Sequence, residues 1–383
     1  MTAIDSSVGV RSPEQTQLVI EAVRTRFPVR EEYIPEGGQS LQFFFDPSYN
    51  NTKASFLSLA NELKKTGDMP ILRETDHGLL LTIVKKPPRG KSRVKLPIAL
   101  FIATIATVFI YGFLSAYSYV GPVPSKSPAL TSDFTIGAIF AVCLMGIIGI
   151  HELGHKIASW HHQMDSSWPY FIPFPPIPNV TLPTMGAVIS ARDPPPNKDA
   201  LFDLGISGPV AGLVTTLVVT VVAAFSAQII PVSKVPNLAT QPSDFLTSWM
   251  IGVIHPNQIG VIYGPLFTTL YFAYSLGFLL TYVNLLPAWQ LDGGHIANAA
   301  VSRRLHQYLT WISAGIMVLS GFFFMAVLVL LFASRVPSLR PLDDVSPLSQ
   351  KRKIMFWATW LIAGAIFVLV VVNNPFFWIW KII

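Results

Sequence analysis

Between Phe134 and Ile150 the chain runs for 17 residues without a charge, and the run ends directly on His151-Glu152-Leu153-Gly154-His155. A helix needs about 20 mostly apolar residues to cross a bilayer core of roughly 30 Å. The run and the ionisable cluster at its inner end therefore read as one membrane helix. Without water to satisfy peptide groups, only helices and closed barrels span a bilayer. Ionisable side chains at that depth are costly, and by default they mark a functional site.

Six apolar runs follow the first 93 residues, at about 96–120, 134–158, 204–230, 259–286, 306–333 and 354–380. Composition agrees: 51% of the 383 residues are hydrophobic and 13% charged, against roughly 25% charged in soluble domains. The net charge of +6 is modest, and Lys85, Lys86, Arg89, Lys91, Arg93 and Lys95 gather just before the first run. Such clusters anchor an inner leaflet. No aromatic-interleaved basic groove accompanies them, so nucleic acid is not an expected partner. Cys143, the single cysteine, excludes an internal disulfide. The polar stretch Thr2 to Gln17 has no apolar core, so no cleavable signal peptide is expected.

Residues 1–93 read as a small soluble α+β domain. Helices are expected around Leu18 to Val23 and Phe56 to Leu63. Strands are expected at Leu41 to Phe45, Ile71 to Arg73 and Leu79 to Val84, with a turn at Asp76-His77-Gly78. Counting spans from a cytoplasmic N-terminus puts His151 to His155 in the cytoplasmic half and the loop 231–258 outside. It also puts Arg303 and Arg304 inside, as the distribution of positive charge requires. The same count places Arg335, Arg340, Lys351, Arg352 and Lys353 outside, against that rule. Between Trp168 and Pro196, dense prolines mixed with Trp168, Tyr170, Phe171 and Phe174 suggest a re-entrant or interfacial segment, with Met185 to Ala191 as an exposed strand.

Two histidines four apart share one helix face and can reach one Zn²⁺, while Glu152 can hold and deprotonate a metal-bound water. In an ordinary helix such a pair is merely solvated, but at membrane depth unpartnered polar groups are expensive. Catalytic zinc takes three protein ligands. The fourth run supplies a third by ending on Asn284-Leu285-Leu286-Pro287-Ala288-Trp289-Gln290-Leu291-Asp292-Gly293-Gly294. Pro287 and the glycine pair break the helix, so Asp292 can turn towards the metal, and Asn284 can hydrogen-bond a substrate carbonyl or oxyanion. His295 is a competing ligand ranked below Asp292. His161 and His162 read as interfacial polar residues.

With Gly208-Pro209-Val210-Ala211-Gly212 between them, these motifs resemble the site-2 protease family of intramembrane zinc metalloproteases, peptidase family M50. The resemblance covers roughly residues 134–300. It implies His151, His155 and Asp292 as ligands of one Zn²⁺ per chain, Glu152 as the base, and a membrane hairpin whose Gly-x-x-x-Asn/Ser/Gly signature is matched by Gly186 to Ser190. The expected whole is an α-helical polytopic membrane protein with about six transmembrane helices, a three-helix catalytic core and a re-entrant hairpin. Its divisions are the soluble domain 1–93, a first helix and loop 94–133, the core 134–300 and two C-terminal helices 301–383. The expected substrates are single-span membrane proteins docked as an added strand near Gly186 and Ser190, in the lipid bilayer of a prokaryotic cell membrane. A homo-oligomer is compatible with this. A zinc-binding membrane transporter or a non-proteolytic homologue is the alternative, though neither needs a glutamate beside the first histidine.

Overall fold

The computed structural model describes residues 11–35, 40–46, 48–49, 51–86, 94–117, 132–178, 182–230, 244–256, 261–320, 322–336 and 338–371. Outside them lie the first ten residues of the polar start, Arg89, Lys91 and Arg93 of the basic cluster, Lys234, and the far end of the last run.

The N-terminal layer comprises α1 (Pro13–Arg24), β1 (Val29–Tyr33), β2 (Ser40–Phe45), α2 (Thr52–Leu63), β3 (Asp68–Thr75) and β4 (Gly78–Lys85). Its sheet is antiparallel in the order β1-β2-β4-β3. Alternation along β2 buries Leu41, Phe43 and Phe45 on one face, where Phe56, Leu59 and Leu63 of α2 and Val19 and Val23 of α1 cover them. Ser12 and Gln15 close a reciprocal cap at the start of α1. The expected helices and strands are all present. β1 was not anticipated, because Arg30, Glu31 and Glu32 give it no apolar alternation; charged residues suit an exposed edge.

Among the described residues, five helices are long and apolar enough to cross a membrane: α3 (Lys95–Tyr117), α4 (Asp133–His161), α5 (Lys198–Ser226), most of α7 (Pro265–Leu285), and α11 (Gln350–Ile366) with its continuation to Val370. The central three are α4, α5 and α7, with α3 against α4. Between α4 and α5, β5 (Tyr170–Pro173) and β6 (Thr184–Val188) form a two-stranded hairpin held to α3 by Thr107 Oγ1 donating to Pro183 O at 3.0 Å. At the far ends of α5 and α7, β7 (Gln228–Ile230) pairs with β8 (Val261–Tyr263). The expected loop 231–258 contains a short helix, α6 (Phe245–Ile254), capped by Asp244.

The count of six spans is corrected at 306–333. That run is two helices, α9 (Arg303–Leu319) and α10 (Phe323–Arg335), preceded by the short α8 (Asp292–Ala300). α9 and α10 fold back on each other, so that Arg303 and Arg304 from the start and Arg335 from the end line one cavity. At 1.5 Å per residue, helices of 17 and 13 residues reach only about 25 and 20 Å, too short to cross. Because the hairpin returns to the side where it began, the basic residues from Arg335 to Lys353 lie with Arg303 and Arg304. A count that does not take the hairpin as a span has no conflict in positive charge there.

A strap between α10 and α11 ties the N-terminal layer to the helices. Leu72 N on edge strand β3 donates to Leu342 O at 2.9 Å, and Arg73 Nη1 reaches the same carbonyl at 2.6 Å. On its other side the strap bonds to the segment before α5, where Leu342 N donates to Pro195 O at 2.7 Å and Asp343 N to Pro196 O at 3.0 Å. Lys53 of α2 and Arg352 of α11 both reach Asp199 on the first turn of α5, at 2.6 and 3.1 Å. Arg352 also grips Asp203 one turn on, where His162 bonds as well, so His162 is a structural partner rather than a merely interfacial polar residue.

Candidate metal centre

α4 runs towards the strapped face and carries His151 and His155 one turn apart, with Glu152 between them. The three side chains are buried at 2%, 9% and 7% exposure. α7 runs the same way and ends at Leu285, where Leu286 leaves the helix for extended backbone (ψ 136°). Pro287 enforces this, because the residue before a proline is pushed out of the helical region. The chain then turns back and opens α8 on Asp292. A Cβ on Gly293 would fall on Leu285 O and one on Gly294 on Trp289 O, so only glycines allow this return.

The donors converge. His151 Nε2 and His155 Nε2 are 3.2 Å apart, and Asp292 Oδ2 and Oδ1 lie 3.2 and 3.3 Å from them in turn. A tetrahedral zinc ion with bonds of 2.0–2.1 Å separates its ligands by about 3.3–3.4 Å. The triangle has the size that such an ion needs. His155 Nδ1 donates to Leu204 O of α5 at 2.8 Å, which leaves the Nε2 lone pair facing the other donors. Asp292 Oδ2 is buried without a hydrogen bond among the described residues. Both observations fit a cation among the three. Asn284 Nδ2 lies 3.3 Å from His151 Nε2. His295 does not belong to the converging group, which among the described residues is His151, His155 and Asp292.

α5 packs antiparallel to α4 with glycines under both imidazoles. A Cβ on Gly208 would fall on His155 Nε2, and one on Gly212 would lie 2.9 Å from His151 Nδ1. The absence of a side chain at these two positions thus makes room for the two rings. Gly154 meets Ser207 O and Gly205 meets Asp292 O in the same way, at 2.5 and 2.6 Å for an added Cβ.

Beside the centre lies an apolar cavity of about 330 Å³, lined by Leu144, Ile148, Gly186, Leu280, Val283 and Asn284 among others. β6 forms one wall and, among the described residues, is paired only on its β5 edge. Gly186 has φ +88°, and the register slips beside it between Phe171 and Pro173. Glycine is suited to that bulge. Ser190 is not brought there. It lies beyond the strand, exposed, with its backbone tied to Ser167.

Trp289 was missed by sequence reasoning. It has φ +44°, a strained value for a bulky residue. Three contacts hold it: its N–H donates to Thr310 Oγ1 at 3.0 Å, its Nε1 to Val336 O at 2.8 Å, and its ring stacks on Phe332 with centroids 5.5 Å apart. The α9–α10 hairpin therefore grips the loop between Asn284 and Asp292. The Asp199 and Asp203 pair at the start of α5 was missed too; acids four apart, the first of them in the opening turn, were its signal.

Fold and donor set together define a multi-pass helical membrane protein with two histidines and an aspartate gathered inside it where a metal ion could be held. The chain belongs to peptidase family M50, whose family model matches residues 139–328. Among curated relatives, the "Probable zinc metalloprotease EGY1, chloroplastic" of Arabidopsis thaliana is 27% identical over 306 residues, 73% of this chain and 54% of that protein. Its namesake from Oryza sativa subsp. japonica is 26% identical over 351 residues, covering 85% and 58%. The "Probable zinc metalloprotease EGY2, chloroplastic" of Oryza sativa subsp. indica is 26% identical over 227 residues, covering 56% and 38%. The chain thus spans about half the length of the curated relatives it matches. No solved structure matches.

Proposed function

We propose that the chain is a zinc metalloendopeptidase that hydrolyses peptide bonds in or near the transmembrane helices of membrane-anchored proteins. The observation that carries this reading is the zinc-sized triangle of His151, His155 and Asp292, buried within the bundle with Glu152 beside it. Zinc held there supplies Lewis acidity towards a carbonyl and makes water acidic enough to lose a proton near neutral pH. Glu152 takes that proton and delivers it to the leaving nitrogen. Asn284 donates its amide to the carbonyl oxygen as charge develops there. A transporter has no use for a buried base at this position, which favours the protease.

The test is metal content with activity. The purified chain should hold one zinc, a chelator should stop cleavage of a single-span substrate, and added zinc should restore it. Cleavage persisting in fully metal-free protein would overturn the reading.

A substrate helix hides its amides in its own hydrogen bonds and must unwind to be cut. The free edge of β6 beside the apolar cavity can receive the unwound segment as an added strand. Val188→Pro should therefore slow cleavage of a single-span substrate by about tenfold or more while zinc content stays at one, since a proline removes a strand donor. Unchanged cleavage would exclude the docking strand. Lys95, Arg303, Arg304, Arg335 and Arg352 all lie at the strapped end of the bundle. The distribution of positive charge thus supports a cytoplasmic N-terminal layer in a cell membrane; the relatives named chloroplastic make an organelle membrane the competing site.

A further inference from the structure

The polar end of the α9–α10 hairpin opens onto a second cavity, of about 710 Å³. Arg303, Arg304 and Arg335 line it, and among the described residues no carboxylate does. None of the three has an ion pair or hydrogen bond among the described residues, whereas Arg352 at the same end of the bundle holds two aspartates. His306, 2% exposed, forms part of the wall, and its Nε2 has no hydrogen-bond partner among the described residues. Tyr308 and Trp311 stand at the cavity, both 66% exposed. Three cations held round one hollow repel each other unless an anion lies between them.

We propose that this cavity binds the phosphate headgroup of an anionic membrane lipid. Arginine matches phosphate with paired N–H donors, and basic pockets between membrane helices suit such headgroups. Exposed tyrosine and tryptophan at the mouth belong at headgroup level. From that mouth run the exposed apolar side chains Ile312 and Leu319 of α9 and Phe324, Val327 and Leu331 of α10. Acyl chains cover those faces and inorganic phosphate does not, which favours the lipid as the source of the anion. The occupied pocket pins the open end of the hairpin that grips Trp289. Through that residue the lipid steadies the loop from Asn284 to Asp292.

The full chain, purified in detergent, is titrated with phosphatidylglycerol or phosphatidylcholine, and bound lipid is counted by native mass spectrometry. One phosphatidylglycerol should be retained in preference to phosphatidylcholine, and rising salt should weaken that retention in the unaltered protein. The R303A/R304A/R335A variant should retain it on the order of a hundredfold more weakly, at about fivefold for each surface arginine. R24A/R30A, which removes two arginines of the N-terminal layer, should change nothing. Equal retention of the two lipids, indifference to salt, or full retention by the triple variant would each overturn the proposal. So would displacement of the lipid by an equal concentration of inorganic phosphate. Lipid counting does not depend on proteolysis, so its failure leaves the metal centre untouched.

Discussion

Glu152→Gln should keep one zinc per chain and cut a single-span substrate on the order of a thousandfold more slowly than the unaltered protein, the scale of lost acid–base catalysis. The substitution preserves side-chain size and burial and removes only the proton acceptor. Zinc stays because Glu152 is not among the converging donors, which are His151, His155 and Asp292. A carboxylate buried at 7% exposure beside a metal centre, with no lysine or arginine paired to it among the described residues, has no evident structural role to lose. The variant should therefore melt close to the parent. Zinc analysis and a cleavage assay on the same preparation separate the outcomes. Normal cleavage would remove Glu152 as the base, and loss of zinc would make it a ligand.

The parts of this site legible in the sequence are those fixed by local geometry. Helical spacing alone puts His151 and His155 on one face. The proline and glycines around Asp292 carry their own instructions for leaving and re-entering a helix. The third ligand could be sought because a metal needs it and because helix direction limits where it can come from. Hydropathy, by contrast, counts composition and does not see where an apolar run turns. The 306–333 run has the apolar content of a span, yet its two halves return to one side, and only the positions of Arg303, Arg304 and Arg335 betray it. The positive charges from Arg335 to Lys353, which a six-span count places against the charge rule, are a second signal of that turn. The strap was illegible for another reason. Leu342 and Asp343 act through backbone groups presented to β3 and to Pro195 and Pro196, and such pairing depends on tertiary placement rather than on side-chain type.

These ties give α5 a particular position in the molecule. Its first turn is held by Lys53, Arg352 and the strap. Its second offers the Leu204 carbonyl to His155, and its third and fourth place Gly208 and Gly212 against the ligand rings. The N-terminal layer therefore reaches the metal centre through one helix, with no loop between. Displacing α5 along its axis moves both the carbonyl that orients His155 and the glycine that makes room for it.

Gly208→Ala should cost the chain its zinc, with metal affinity falling by more than about a hundredfold, beyond what loss of an outer-shell partner does. The new Cβ would fall on His155 Nε2, the atom proposed to hold the metal. The ring cannot simply rotate away, because its Nδ1 is committed to Leu204 O on the same helix that carries the new methyl. Retreat of α5 is opposed by Gly154 against Ser207 and by the ion pairs at its first turn. Overpacking of this kind costs about 1–3 kcal/mol, so the variant should fold but melt lower. Gly212→Ala should be milder, since its Cβ lies 2.9 Å from His151 Nδ1, a nitrogen with no hydrogen bond to lose. Gly149→Ala on α4 has open space at its Cβ and should bind zinc normally. Zinc content measured across the three variants gives the ordering, with Gly208 far below Gly212 and Gly149 at parent level. If Gly208→Ala keeps a full zinc ion and cleaves normally, α5 does not sit against the ligand rings as described.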